Sequence, residues 1–140
     1  MQKFVLDSSV ILKWLNEQDE ERIKEAQLIL EHAVKGKIEI LAPELAKYEV
    51  GNILLIRKKL SLSQIKEVFD FLYGLPLKYF SETRSSQKLT YELASRAKIT
   101  YYDASFASLA KLEDATLITD NPKHQTRVKR VKVIALEDYK

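Results

Sequence analysis

Short apolar runs alternate with longer helical patterns along the whole 140-residue chain, and this alternation limits the fold more than any single residue does. "KFVLD" (3–7), "IEILAP" (38–43), the weaker run Leu75–Phe80, "ATLITD" (115–120) and "VKVIAL" (131–136) read as strands. A short helix is expected over Ser9–Leu15. A second runs from Glu20 and Glu21 to a stop at Gly36, with Ile23, Ala26, Ile29, Leu30 and Ala33 on one face. Pro43 opens a third, to about Lys59. The fourth lies between a Ser61 cap and a Gly74 terminator, and Thr83–Ala97 and Tyr101–Leu112 complete the set. Strands separated by helices predict an α/β protein. The expected form is a three-layer α/β/α sandwich with a mainly parallel central sheet, in one domain spanning 1–140.

Composition narrows the chemistry. With 46% hydrophobic and 31% charged residues, and only three Gly and three Pro, the chain has the make-up of a globular domain. It has no cysteine, which excludes disulfides, a thiolate zinc site and a cysteine nucleophile. Two histidines, His32 and His124, cannot alone build a histidine-rich metal site. Any metal must be held by oxygen, which favours Mg²⁺ or Mn²⁺. No apolar run approaches ~18 residues and no signal-peptide pattern opens the chain, so no membrane association and a cytoplasmic location are expected. The formal charge of +3 is a mild pointer to polyanions.

In parallel α/β sheets, ligands bind outside the carboxyl ends of the strands, so residues just after each strand come first. Asp7 directly follows the first strand, and Asp120 directly follows "TLIT". Each has a structural alternative: Asp7 can cap the next helix, and Asp120 before Asn121-Pro122 can start a turn. Glu49 falls in the apolar sector of its helix, opposite Lys47 and Lys58. There an unpaired charge is costly, so Glu49 needs either a buried ion pair or a metal. Asp103 stands three residues after Thr100, the spacing of a capping box, in a first turn that can face the same edge. Clustered carboxylates repel one another unless cations sit among them. Four together would form an oxygen cage for Mg²⁺, suited to metal-assisted hydrolysis of a phosphodiester.

"VLDSSVIL" (5–12), "PELAKYEVGNIL" (43–54), "TYYDASFASLA" (100–110) and "LITDN" (117–121) occur in this order. With these four motifs the whole chain resembles a PIN-domain ribonuclease, and in size it is similar to the VapC-type toxin of a toxin–antitoxin pair. The resemblance implies that Asp7, Glu49, Asp103 and Asp120 form an acidic quartet holding Mg²⁺ or Mn²⁺. It further implies supporting hydrogen bonds from Ser8 and Thr119, a lesser supporting role for Asn121, a cognate antitoxin partner and a homodimer. After the first acid the common residue is Thr or Ala; Ser8 keeps a hydroxyl there.

The stretch "KHQTRVKRVK" after Asp120 carries no acid. Its Lys123, Arg127 and Arg130 are candidates to hold an RNA backbone beside the acids, against the alternative of a solvated turn and strand face. Tyr101 and Tyr102 either stack on a base or divide into one core ring and one surface ring. Trp14 reads as core or interface. The hairpin of residues 44–74 carries excess apolar surface at Leu54, Leu55, Phe69, Phe71, Leu72 and Tyr73 for a second copy or an antitoxin segment. The leading functional expectation is a metal-dependent endoribonuclease toxin. A PIN nuclease of RNA processing and a non-catalytic, receiver-like acidic-pocket module are the alternatives. Neither "GxGxxG" nor "GxxxxGK[ST]" occurs, which argues against a nucleotide-binding enzyme.

Overall fold

A computed structural model describes residues 1–140. Five strands form one sheet: β1 (Gln2–Leu6), β2 (Ile38–Pro43), β3 (Leu77–Phe80), β4 (Thr116–Thr119) and β5 (Val133–Ala135). Six helices connect them: α1 (Ser8–Leu15), α2 (Ile23–Val34), α3 (Leu45–Ile56), α4 (Leu62–Gly74), α5 (Arg84–Ala97) and α6 (Tyr101–Leu112). The strand order is β3-β2-β1-β4-β5, and every pairing is parallel. The expected sheet is therefore fully, not mainly, parallel. Its central strands are apolar on both faces, as Val5, Leu6, Leu41, Leu117 and Ile118 show by their complete burial.

Parallel crossovers are right-handed almost without exception. The steps from β1 to β2 to β3 therefore put α1–α4 on one face of the sheet, and the return from β3 to β4 puts α5 and α6 on the other. Packing agrees: α1 meets α2, α3 and α4, whereas α6 meets α5, β1, β2 and β4. Successive connections leave β1 and β4 in opposite directions, so the switch point of the sheet lies between these two strands. Phe4, Val5 and Leu6 pair there with Thr116, Leu117 and Ile118.

Local chemistry explains most helix ends. Ser61 and Gln64 cap α4 reciprocally, and Thr83 and Ser86 do the same for α5. Gly36, at φ 69°, adopts the left-handed conformation that ends α2. Gly74 does not act in this way: it is the last residue of α4, and the extended Leu75 closes the helix. Pro43 is the end of β2 rather than the opening of a helix, and α3 stops at Ile56, short of Lys59. The second helix also starts later than its acids imply. Arg22 sits at its N-cap position with φ 55°, and Glu20 and Glu21 precede it. Trp14 is core, its indole N–H donating to the Ala26 carbonyl at 2.7 Å and tying α1 to α2.

Of the apolar residues expected to be spare on the α3–α4 hairpin, Leu54 and Leu72 are buried in the core. Leu55, Phe69, Phe71 and Tyr73 are exposed, together with Ile56 and Leu62. These burial differences set the stability expectation. Leu117→Ala in β4 should cost about 2–5 kcal/mol in urea unfolding, through lost burial and the cavity it leaves. Leu62→Ala, at a side chain 90% exposed, should stay within about 0.5 kcal/mol of the parent.

Candidate functional site

The carboxyl ends of β1 and β4 meet through a backbone bond from the Asp7 N–H to the Ile118 carbonyl, at 3.0 Å. Asp7 occupies the N-cap position of α1, yet its carboxylate makes no capping bond; its backbone carbonyl receives Val10 and Ile11. The carboxylate turns instead to hydroxyls. Ser9 donates to Asp7 Oδ2 at 2.8 Å, and the fully buried Thr119 donates to the same oxygen at 2.9 Å. Thr119 Oγ1 also accepts the Asn121 N–H, and Ser9 Oγ accepts the Asp120 N–H. Two short polar side chains thus fix the acid of β1 and the backbone just beyond β4 as one unit.

Glu49 projects from α3 and takes a hydrogen bond from the buried Ser8 hydroxyl at 2.7 Å. No Lys, Arg or His pairs with it, so of the two partners its placement demanded, the ion pair is absent. Asp103 lies in the first turn of α6, where Thr100 accepts its N–H at 3.0 Å. Only half of the expected capping box forms, and the Asp103 carboxylate makes no return bond. Burial raises the Asp7 carboxyl above its ordinary value and outweighs the Ser9 and Thr119 hydrogen bonds; the nearby Asp103 charge adds to the rise. Burial likewise raises Glu49 against the Ser8 bond, and the charges of Asp7 and Asp103 raise it further. Asp7, Glu49 and Asp103 therefore share one electrostatic neighbourhood, and no cationic side chain of the protein neutralises it.

Asp120 has a different environment. Its Oδ2 pairs with Lys13 Nζ at 2.9 Å, and its Oδ1 takes the Arg22 Nε–H. Lys13 is only 1% exposed and also bonds Glu20 at 3.0 Å, which in turn pairs with Lys58 at 2.9 Å. The result is a chain of alternating charge running from Arg22 through Asp120, Lys13 and Glu20 to Lys58. Burial opposes ionisation of Asp120, but the Arg22 and Lys13 bonds overcome it and hold the carboxyl below its ordinary value. Glu20 is lowered in the same way, by Lys58 and Lys13. The fourth acid thus stands at the same sheet edge as the other three, and its charge is already balanced.

Ser9, Lys13, Arg22 and Glu20 are the contributors that sequence reasoning missed. Lys13 carried a signal, being a lone cation inside the apolar run "VILKWL". Asn121 takes part through its backbone N–H, and its side chain is exposed. Lys123 is exposed two residues beyond it, whereas Arg127 and Arg130 line a separate cavity with α5 and α6. Tyr101 and Tyr102 line another cavity, of about 430 Å³, formed with the start of α3 and the β3–α5 loop. There the Tyr101 hydroxyl donates to Glu82, and Tyr102 is exposed.

The donor set suits a hard divalent cation: three carboxylates, mutually repelling and uncompensated, backed by hydroxyls. As they stand, no three acids or histidines make a closed coordinating group. The chain has no helix long and apolar enough to cross a membrane.

Comparison with known proteins comes to the same fold. The family model described as the PIN domain matches residues 4–131. No curated protein matches the chain. Among solved structures, VapBC2 from Rickettsia felis, bound to a DNA fragment from its promoter, superposes with a TM-score of 0.74 at 19% identity. It covers 96% of this chain and 98% of that one. A toxin–antitoxin complex from Klebsiella pneumoniae gives 0.66 at 14% identity, covering 94% and 96%. VapC20 of Mycobacterium tuberculosis, described as a toxin that cleaves the sarcin–ricin loop, gives 0.62 at 12% identity, covering 81% and 85%.

The ion network predicts a defined response to acid. Glu20 and Asp120, lowered in the folded state, contribute stability that is present above the ordinary carboxyl range and lost as pH falls through their folded values. Asp7 and Glu49 act in the opposite sense: their raised values cost stability at neutral pH, and the cost is relieved as pH falls through them. Lys13→Met removes the cation shared by Glu20 and Asp120. Each acid keeps a second partner, so urea unfolding at pH 7 should show a loss of about 3 kcal/mol, the lower end for a broken buried pair. The gap from the parent should narrow as pH falls through the lowered folded-state values of Glu20 and Asp120, where both carboxylates take up protons. A gap independent of pH would mean that Lys13 acts through packing alone.

Proposed function

The chain belongs to the PIN-domain family, and on that premise we propose that it is a divalent-metal-dependent endoribonuclease acting as the toxin of a toxin–antitoxin pair. One observation carries the reading: Asp7, Glu49 and Asp103 share an uncompensated negative site at the switch point of a parallel sheet. A structural role for these acids calls for cations from the chain, and the chain places its cations on Asp120 instead. The folds of the toxin complexes and of the RNA-cleaving toxin support the same reading.

Asp7, Glu49 and Asp103 would hold Mg²⁺ or Mn²⁺. The ion would supply the Lewis acidity that phosphodiester hydrolysis needs. The chain's own residues do the positioning. Ser8 orients Glu49, while Ser9 and Thr119 aim Asp7 and fix its distance from the β4 end. Asp120 holds Lys13 and the partly exposed Arg22, whose guanidinium, also paired with Glu21, would offer its remaining N–H groups to a substrate phosphate. In this reading Asp120, the fourth acid of the quartet, serves chiefly through those two cations. Exposed apolar side chains of the α3–α4 hairpin, among them Leu55, Ile56 and Phe71, provide the surface for a second copy of the chain or for an antitoxin.

Purified protein incubated with single-stranded and structured RNAs should cleave them with Mn²⁺ and leave them intact in EDTA. Asp7→Asn should abolish cleavage. It should also raise the metal-free melting temperature slightly at pH 7, because one repelling carboxylate is gone. Mn²⁺ should stabilise the wild type by mass action and the variant clearly less. An Asp7→Asn protein that cleaves at the parent rate would overturn the assignment. Binding of Mn²⁺ without cleavage of any RNA would favour a receiver-like module. Induced in a bacterial host, the parent should arrest growth and the variant should not.

A further inference from the structure

A second concave site lies where α5 and α6 end. It has a volume of about 390 Å³ and is lined by Arg96, Lys111, Arg127, Lys129 and Arg130, over an apolar floor that includes Leu93 and Val128. No acid lines it, and none of the five cations takes part in a salt bridge. Of the other eighteen Lys and Arg, eight have acidic partners (Lys3, Lys13, Arg22, Lys35, Lys47, Arg57, Lys58 and Lys78); what sets the cavity apart is that five unpaired cations line it together with no acid among them. Five unpaired cations around one cavity repel one another, and an anion relieves that repulsion.

Helix-end electrostatics accounts for only part of the cluster. Arg96 and Lys111 lie in the last turns of α5 and α6, where a cation meets the negative end of the helix dipole. Arg127 closes a 3₁₀ turn of only three residues (Gln125–Arg127), far shorter than α5 or α6, and Lys129 and Arg130 follow it outside any helix. Arg130 ends this segment at φ 65°, a left-handed conformation that residues other than glycine seldom adopt. The buried Val128 anchors the segment from below and leaves its three cations outward.

The cavity is connected to the acids by the chain itself. The segment that leaves Asp120 passes Gln125, whose amide donates to the Asp103 carbonyl at 3.4 Å, and reaches the cavity two residues later at Arg127. Along α6, Asp103 and Lys111 are separated by eight residues, or about 12 Å of helix rise. A stacked strand covers that distance in roughly three to four nucleotides at ~3.4 Å each.

We infer that this cavity is a second binding site, for the phosphate backbone of RNA, holding the strand a few nucleotides from the point of cleavage. The assignment rests on the nuclease reading above for its substrate class. Basic side chains at the rim of an apolar floor would grip phosphates and leave bases unread, so the site adds affinity and reach without sequence preference.

The test measures fluorescence anisotropy of a labelled 12-nucleotide single-stranded RNA with the full chain in EDTA, where no cleavage occurs. The variant Arg127→Gln/Arg130→Asn removes two cations and keeps a residue that tolerates φ above zero at 130. Its Kd should rise roughly tenfold, and the magnitude of its salt slope should fall by about 1.4, or ~0.7 for each phosphate that is no longer neutralised. Lys24→Gln/Lys37→Gln, which removes two exposed cations outside the cavity, should leave the 12-nucleotide Kd unchanged. Equal Kd and salt slope in parent and cavity variant would overturn the inference, as would an equal loss in the control pair. Should the double variant melt early, Lys111→Gln at the exposed end of α6 gives the same comparison, with a slope change of about 0.7. RNA cleavage by the parent, followed separately with Mn²⁺, keeps the two readings apart. Cleavage with no cavity effect refutes the second site alone. Cavity-dependent binding without cleavage refutes the nuclease reading and leaves the second site standing.

Discussion

A carboxylate withdrawn from water at the end of a buried strand stays ionised only where something replaces the lost hydration. The parallel sheet brings both Asp7 and Asp120 into that position, and the protein answers in two different ways. Asp7 receives neutral hydroxyls from Ser9 and Thr119, which orient it and leave its charge uncancelled. Asp120 receives full cations from Lys13 and Arg22. This division separates a face whose negative charge is left uncancelled from one whose charge the chain has already balanced. A cation placed beside Asp7 would cancel the charge on which the proposed site depends.

Both arrangements depend on the strand order. Because β1 lies between β2 and β4, a residue after β1 can be reached by α3 from one side and by the β4 end from the other. Glu49 arrives on α3, packed on that helix through Ala46, Val50 and Leu54, while Asp103 arrives on the first turn of α6 from the opposite layer. Four separate segments thus converge within one edge. None of the four acids relies on a long loop for its position, which suits a site that must hold repelling charges still.

Much of this was legible in the chain because it was written in local patterns. The period of apolar residues marked every strand and helix, and the bounds of α6 and the capping serines and threonines followed from short-range chemistry alone. The four acids stood out because each sits just past a strand or against the polarity of its helix. What stayed hidden was long-range. Glu20 and Glu21 read as the acidic first turn of α2, but an αL residue at Arg22 cuts that helix short and frees Glu20 to meet Lys13. Arg127 and Arg130 follow Asp120 closely in sequence. The intervening segment, however, runs back along α6 before β5 begins, and it carries them to the other end of that helix. Nearness in sequence misled there because the parallel connection must return to the start of the sheet.

The hydrogen bond from Thr119 to Asp7 spans 112 residues. During synthesis Asp7 leaves the ribosome early and has neither its β4 neighbour nor that hydroxyl. At ~5–20 residues per second the missing part arrives roughly 6–20 s later. Throughout that interval the nascent chain carries its first acid without the strand that aims it. A protein whose proposed target is RNA is thereby kept incomplete beside the RNA-rich machine that makes it, and any fragment ending before β4 lacks the switch point on which the site is built.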